Sequence, residues 1–523
     1  MQRPAKTYLR RLARSPRKSS FHGSADFFPF DRPYREVVLG ELRLQAFLPT
    51  YNSRMSGDED VKFSLKVVIN KQKNKVIFVE ANSDFVDVLI SFLTLPLGAA
   101  VRVLKKHYGD KEAPVFGSLT SLYNGLANLD NSHFWTEGCK EVLLNPMGSF
   151  AEECRKLKLD ISDTQPTEYF TCEHPNCGRA WFTSVYYDTA ICYCGRPMTR
   201  KAVGITKEFA PAVFTINTAS FIISDDLQIF PNSTDLIQTL INLGIANMDV
   251  GELRTVTFGF NEIMDLLMVS LLSRTPLSDL ILYKRHVTYV DGLARLKFEP
   301  GISFKGKVKE ATSNSNEMII LKFMVQKSTN KLLFARAGED FLDFLCSLLA
   351  IPFGAVRYLL VGKTCLKAID NLYVSIVDHV DDNHLATPAM KNRLMKAKLP
   401  HGYISENQIL PLTGESFPYT YDTSPDLQKF SSVKFVKGQG KYIRGPTMYN
   451  ITDDLTVTPF CMASMFLALK EQNIPLSDVQ ELELEIRLEE GLSILKASLT
   501  SASALTDALM TKLMLKKQPK QEL

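Results

Sequence analysis

The chain has 523 residues, 45% hydrophobic and 23% charged, with 27 Gly, 25 Pro and nine Cys. That balance excludes a mostly disordered chain, a collagen-like fibre and a small disulfide scaffold, and at ~150 residues per domain it predicts two to four domains. Net charge is +4, but residues 1–54 hold 11 Lys/Arg against 4 Asp/Glu, which leaves 50 basic against 53 acidic in the body and no advertised nucleic-acid face.

In chain order, the first element is a basic N-terminal extension, residues 1–59. Its first 25 residues carry Arg3, Lys6, Arg10, Arg11, Arg14, Arg17 and Lys18, no acid, and interleaved serines. Two readings stand: an organelle transit peptide, or a disordered extension with the true start at Met55. No apolar stretch of secretory type follows it.

Residues 65–104 then match residues 321–360 without a gap at a shift of 256, with 17 of 40 positions identical; chance gives roughly two or three. Among the identities are Asn74, Asp84, Phe85, Asp87, Pro96 and Gly98. Further on, Ser224-Asp225-Asp226-Leu227 matches Thr452-Asp453-Asp454-Leu455 at a shift of 228, as do Ser270-Leu271, Ser273, Leu277 and Asp279 with Ser498-Leu499, Ser501, Leu505 and Asp507. These matches predict two tandem homologous α+β repeats, residues 60–282 and 318–510, a linker at 283–317, a basic C-terminal tail at 511–523, and about 28 extra residues inside the first repeat.

Each repeat opens as a hairpin. Leu65–Ile69 and Val76–Val79 are β-prone, with the polar turn Lys71–Lys75 between them. A helix follows, with Phe85, Val88, Leu89, Phe92 and Leu93 on one face, and Phe341, Phe344, Leu345, Leu348 and Leu349 in the second repeat. Asp84 and Asp87 suit the N-terminal end of that helix dipole. The apolar runs Phe85–Val101 and Phe341–Val356 are interrupted by Pro96 and Pro352, so about 11 helical residues precede each proline, too few for a membrane span. Further helices are expected near Leu119–Leu129, Ile369–His379 and Glu262–Leu272, the last preceded by a strand at Leu253–Phe258.

The extra residues hold Cys172, Cys177, Cys192 and Cys194 in a C-x4-C-x14-C-x-C-G pattern. Two close cysteine pairs flanking the β-prone stretch Trp181–Tyr187 predict a small zinc-ribbon-like hairpin at about 168–202, with four thiolates around a structural Zn2+. His174 could replace one ligand, and two disulfides or four plain thiols are the alternatives; a reducing compartment disfavours disulfides. Four protein ligands leave no open position for catalysis. Arg179, Trp181, Tyr193 and Arg196, with Tyr186, Tyr187, Arg200 and Lys201, could stack bases and contact phosphates, or else fill and solvate a small hairpin.

Other candidates are weaker. Asp378–His384 reads as a polar loop with metal-capable side chains, and Lys437–Lys441 as a turn rather than a phosphate loop. Asp225-Asp226 and Asp453-Asp454 are either paired carboxylates or Asx turns. No G-x-S-x-G, H-E-x-x-H or dinucleotide fingerprint occurs.

Ser64–Lys71 with Asn74-Lys75-Val76, Asp84–Leu89, Leu95–Gly98, Thr452–Leu455, Leu495–Ser501 with Ala504–Asp507, and Cys192-Tyr193-Cys194-Gly195 together resemble the plant domain-of-unknown-function 674 family over roughly residues 60–510. The resemblance implies a plant protein and supplies no activity, substrate or catalytic residue. The reading is therefore a soluble intracellular protein of cytoplasm, nucleus or an importing organelle, non-enzymatic, binding other proteins as an interaction or scaffold module. The alternatives are nucleic-acid binding through the cysteine module and an enzyme with a site between the repeats.

Overall fold

The protein is described by a computed structural model over residues 61–109, 113–163, 170–175, 177, 182–183, 187–188, 191–192, 194–201, 213–232, 236–242, 251–283, 318–396, 398–399, 405, 408–414, 431–432 and 441–517. The N-terminal extension, the linker after Tyr283 and the end of the C-terminal tail expected from the sequence lie outside these residues.

The first half begins with Phe63–Asn70 (β1) and Lys75–Asn82 (β2). In β1 the alternate residues Phe63, Leu65, Val67 and Ile69 are buried while Ser64 and Lys66 are exposed, the period of two that gives a strand one inner face. The turn between them holds Asn74 at φ 45°, a left-handed conformation that Asn tolerates better than most residues. Helices Ser83–Thr94 (α1), Leu97–Tyr108 (α2), Leu119–Asn128 (α3), Glu137–Leu144 (α4) and Ala151–Cys154 (α5) follow. After the short strands Phe170–Thr171 (β3), Phe182–Thr183 (β4) and Arg200–Lys201 (β5) come Ser220–Ser224 (β6), Ile229–Pro231 (β7), Leu236–Asn242 (α6), Gly251–Phe258 (β8), Phe260–Leu272 (α7) and Pro276–Ile281 (α8).

The second half runs Ile319–Gln326 (β9), Leu332–Ala337 (β10), Glu339–Leu349 (α9), Phe353–Leu359 (α10), Lys367–Val374 (α11) with a π-helical turn at Ser375–His379, Pro388–Met395 (α12), Ser431–Ser432 (β11), Tyr449–Ile451 (β12), Val457–Pro459 (β13), Met462–Glu471 (α13), Val479–Ile486 (β14), Leu488–Thr500 (α14) and Ala504–Lys517 (α15). The fold is mixed α+β with antiparallel sheets. One five-stranded sheet has the order β7-β6-β2-β1-β8 and the other β13-β12-β10-β9-β14. The two orders coincide when each strand is ranked along the chain among the five strands of its own sheet.

Pro96 and Pro352 divide the apolar runs. Proline lacks the amide that would continue the helix, so α1 ends before it and α2 starts after it, with Pro96 as N-cap; Pro352 caps α10 in the same way. Among the described residues no helix is long and apolar enough to cross a membrane. α1 and α9 are buried nearly all round, so they lie inside the protein rather than on its surface. A single apolar cluster contains side chains from both halves. At its centre the chain crosses itself symmetrically: Leu97 N donates to Ile351 O at 2.9 Å, and Phe353 N donates to Leu95 O at 3.2 Å.

Asp87 is on the inner side of α1, away from the dipole role the sequence suggested. It is 5% exposed and accepts from Phe214 N (3.3 Å), Thr215 N (2.9 Å) and Thr215 Oγ1 (2.7 Å). Asp343 in α9 accepts from Tyr442 N (2.6 Å), Ile443 N (3.2 Å) and the Ser405 hydroxyl. Each buried carboxylate thus clasps the segment that leads into the third strand of its sheet.

The acidic pairs are spent on turns. Asp225 accepts from Ser278 N and Oγ at 2.7 and 2.9 Å, and Asp453 accepts from Thr506 N and Oγ1, both at 2.8 Å. Asp226 and Asp454 accept from Ser224 Oγ (2.6 Å) and Thr452 Oγ1 (2.5 Å), and the following Leu227 and Leu455 sit at φ 63° and 64°. These bonds tie the β6–β7 and β12–β13 turns to α8 and α15, the work of a turn rather than of an acid–base pair.

Candidate metal centre

Among the described residues, the four cysteines are gathered by short backbone contacts. β3 pairs with β5 through Phe170↔Lys201 and Thr171↔Arg200, and Arg200 also donates to Thr171 Oγ1. Glu173 N donates to Pro197 O at 2.9 Å, and an isolated bridge joins Ile191 to Pro197. Of the β-prone stretch only Phe182, Thr183 and Tyr187 are described; there β4 pairs in parallel with β11 of the second half, Phe182↔Ser431 and Thr183↔Ser432. The cysteine module is therefore stitched to a segment far along the chain, which no local pattern could signal.

Each thiol approach is set by tight turns. Cys177 N donates to His174 O at 3.1 Å, and Gly195 N donates to Cys192 O at 2.8 Å with Gly195 at φ 85°, a conformation glycine adopts without steric cost. The amides of His174, Cys194 and Arg196 point at the sulfurs of Cys172, Cys192 and Cys194 respectively. Amide donors to sulfur favour the thiolate, the form that binds a metal.

The Sγ atoms of Cys172, Cys177, Cys192 and Cys194 all lie within 4.8 Å of one another. Cys172 to Cys194 is 3.4 Å and Cys177 to Cys192 is 3.7 Å. A disulfide would need about 2.05 Å, whereas four sulfurs at about 2.3 Å from one tetrahedral ion stand about 3.8 Å apart. All four are free thiols. The set fits one metal ion. His174 contributes its backbone to the site and its ring is outside the converging group.

Cys172, Cys192 and Met198 form a small apolar cluster of their own, against which Cys177 packs, while Cys194 is exposed. Burial pushes the Cys172 thiol up to about 12 and raises that of Cys192, whereas the Arg196 amide, with Cys172 beside it, pulls the Cys194 thiol down to about 7. A cation among these sulfurs would supply the charge that burial otherwise opposes.

Of the residues suggested for nucleic acid, Arg179, Trp181, Tyr186 and Tyr193 lie outside the described residues. Arg196 is exposed, Tyr187 stacks edge-on against Phe170 at 5.5 Å, and Arg200 is held by Thr171 and the Pro175 carbonyl. The polar loop Asp378–His384 gathers no metal group: His384 pairs with Asp381 at 2.5 Å and His379 stacks on Phe230 at 4.5 Å. Lys441 alone of Lys437–Lys441 is described.

No curated protein and no solved structure matches the chain. A family model described as a protein of unknown function, DUF674, matches residues 59–489 and 431–522. With nearly the whole body covered, the chain belongs to the DUF674 family.

Proposed function

We propose that this protein is a non-enzymatic interaction scaffold made of two copies of one α+β unit, residues 60–282 and 318–510 joined by a linker at 283–317, with a structural Zn2+ held by Cys172, Cys177, Cys192 and Cys194 in the first. The observation that carries the reading is the convergence of four sulfurs at separations suited to one tetrahedral ion. Zinc is the natural occupant because it takes four thiolates, and a closed set of four leaves no position for substrate, so the ion fastens the module and does no chemistry.

Duplication is supported by bonds that recur at matched positions: the Asp87 and Asp343 clasps, the Asp225 and Asp453 ties, and Glu262 and Glu490, which accept from the amides of the N-cap residues Gly259 and Arg487 of their helices at 2.8 and 3.0 Å. The interaction role is supported by two helices at matched places that present apolar side chains to solvent. On α13 Met462, Phe466 and Leu467 are 62, 56 and 54% exposed; on α6 Ile237 and Ile241 are 70 and 57% exposed. Contiguous apolar surface of this kind marks protein contacts more often than chance.

Elemental analysis of the purified full-length chain tests the metal: close to one zinc per chain is expected, and well under one counts against it. Loss of a co-purifying partner on Phe466→Asp, with zinc content and thermal midpoint retained, tests the interaction surface. Salt-dependent binding of RNA or DNA abolished by Arg196→Ala would turn the reading toward nucleic acid instead.

A further inference from the structure

We infer that the two halves are reciprocally exchanged: the helical arm of each completes the sheet-bearing part of the other, so neither half is a self-sufficient folding unit and each is the obligate partner of its twin. The argument is independent of the metal and rests on backbone contacts that recur in crossed pairs.

The arm of the first half, residues 116–135, docks on the end of the second half. Ser118 N and Oγ donate to Ser498 O (3.0 Å) and Ser501 O (2.6 Å) of and beyond α14. Arg444 N donates to His133 O at 2.8 Å, Trp135 N donates to Tyr442 O at 3.1 Å, and a bridge joins Phe134 to Ile443. The arm of the second half, residues 366–386, docks on the end of the first. Ile216 N donates to His384 O at 3.0 Å, Ala386 N donates to Phe214 O at 2.9 Å, and a bridge joins Thr215 to Leu385. His133–Trp135 map onto His384–Ala386 by a shift of 251, and Phe214–Ile216 onto Tyr442–Arg444 by 228, so this part of the two docks is the same contact made twice.

The correspondence continues up the helices. Asn371 Nδ2 donates to Asp226 O at 2.7 Å, and Ser375 Oγ accepts from Ile229 N at 2.8 Å. On the opposite side Ser121 bonds Asp454, and Gly125 lies so close to β13 that an added Cβ would stand 2.8 Å from Val457 N. α11 packs on α1 and α7, and α3 packs on β13, so each arm buries apolar area belonging to the other half. The crossing at Leu95–Leu97 and Ile351–Phe353 is the self-complementary contact of a two-fold pair, here between two stretches of one chain. Separating such halves would expose both docking faces and leave the bonded amides of Ile216, Ile229 and Arg444 unpaired.

The full-length chain tests this. A site-specific protease sequence placed within residues 290–310 allows a single cut after purification. The two fragments are expected to elute together as one particle and to unfold in one transition. Their separation into two independently folded monomers, or two separate transitions, would overturn the inference. A second measurement needs no cut: Ser375→Ala in the intact chain is expected to speed hydrogen exchange at the Ile229 amide at least about fivefold, leaving the amides of Tyr449–Pro459 unchanged. Acceleration confined to the second half, where residue 375 itself belongs, sinks the proposal.

Discussion

The stretches that precede the third strand of each sheet differ in the two halves. In the first it contains four cysteines whose sulfurs converge; in the second no cysteine occurs between Cys365 and Cys461. Yet both stretches end on the same device, a carboxylate buried in an apolar helix that accepts two successive amides, Phe214 and Thr215 on Asp87, Tyr442 and Ile443 on Asp343. The difference teaches which feature builds the sheet. The clasp is common to both sheets, whereas the thiol cluster stands beside only one of them.

The sharpest way to break that comparison is to remove a clasp. Asp343→Ala leaves two buried amides and a hydroxyl without their acceptor, and the loss is expected to be about 3 kcal/mol or more, read as a lowered urea midpoint. Asp87→Ala should behave alike. A midpoint unchanged in either variant would mean that the clasp is dispensable.

The next effect follows from the same carboxylates. Burial, against the pull of Thr215 and Phe214 at one and of Ser405, Tyr442 and Ile443 at the other, pushes each carboxyl up to about 6. An unfolded aspartate titrates near 3.9, so the folded state holds the proton more tightly. The resulting stabilisation is complete below about pH 4 and is lost as pH rises through about 6. Between these limits the urea midpoint of the wild type is expected to fall relative to that of Asp87→Asn or Asp343→Asn, by on the order of 2 kcal/mol for each carboxyl. A flat difference across that window would show that the two carboxyls do not titrate there.

Cys192→Ser comes third, because its effect is expected to be local. Bound zinc should fall to background, and hydrogen exchange should quicken over residues 170–201, while the amides of β1, β2, β9 and β10 keep their protection. Loss of protection in both five-stranded sheets would make the metal part of the architecture after all. The smallest effect is expected at the hairpin turns, where Asn74 and Asn330 hold φ 45° and 54°. Asn74→Gly or Asn330→Gly should raise the thermal midpoint slightly or leave it unchanged, within about 0.5 kcal/mol, and equally in the two halves.

Much of the fold was legible in local pattern. The alternation in β1, the apolar face of α1, the stop at Pro96 and the polar turn at Lys71–Asn74 are all properties of a few neighbouring residues, and each corresponds to an element of the structure. The four cysteines were legible as two pairs, five and two residues apart, while the nearest sulfurs, Cys172 with Cys194 and Cys177 with Cys192, are brought together across the module. Asp87 was misjudged as a dipole partner. Its true partners, Phe214 and Thr215, stand far along the chain, and periodicity carries no information about them. The pairing of β4 with β11 was hidden for the same reason: two-residue strands have no pattern, and their register is chosen by what packs around them.

Residue order alone settled where hairpins and helices begin and stop, which faces are apolar and which thiols can meet, because those depend on φ/ψ preferences and on periods of two and 3.6. Which half each arm completes was decided only in three dimensions. Ser118 meets Ser498 and Ser501, and Ser375 meets Ile229, only through the packing of segments far apart in the chain, and neither φ/ψ preferences nor local periods carry information about such partners.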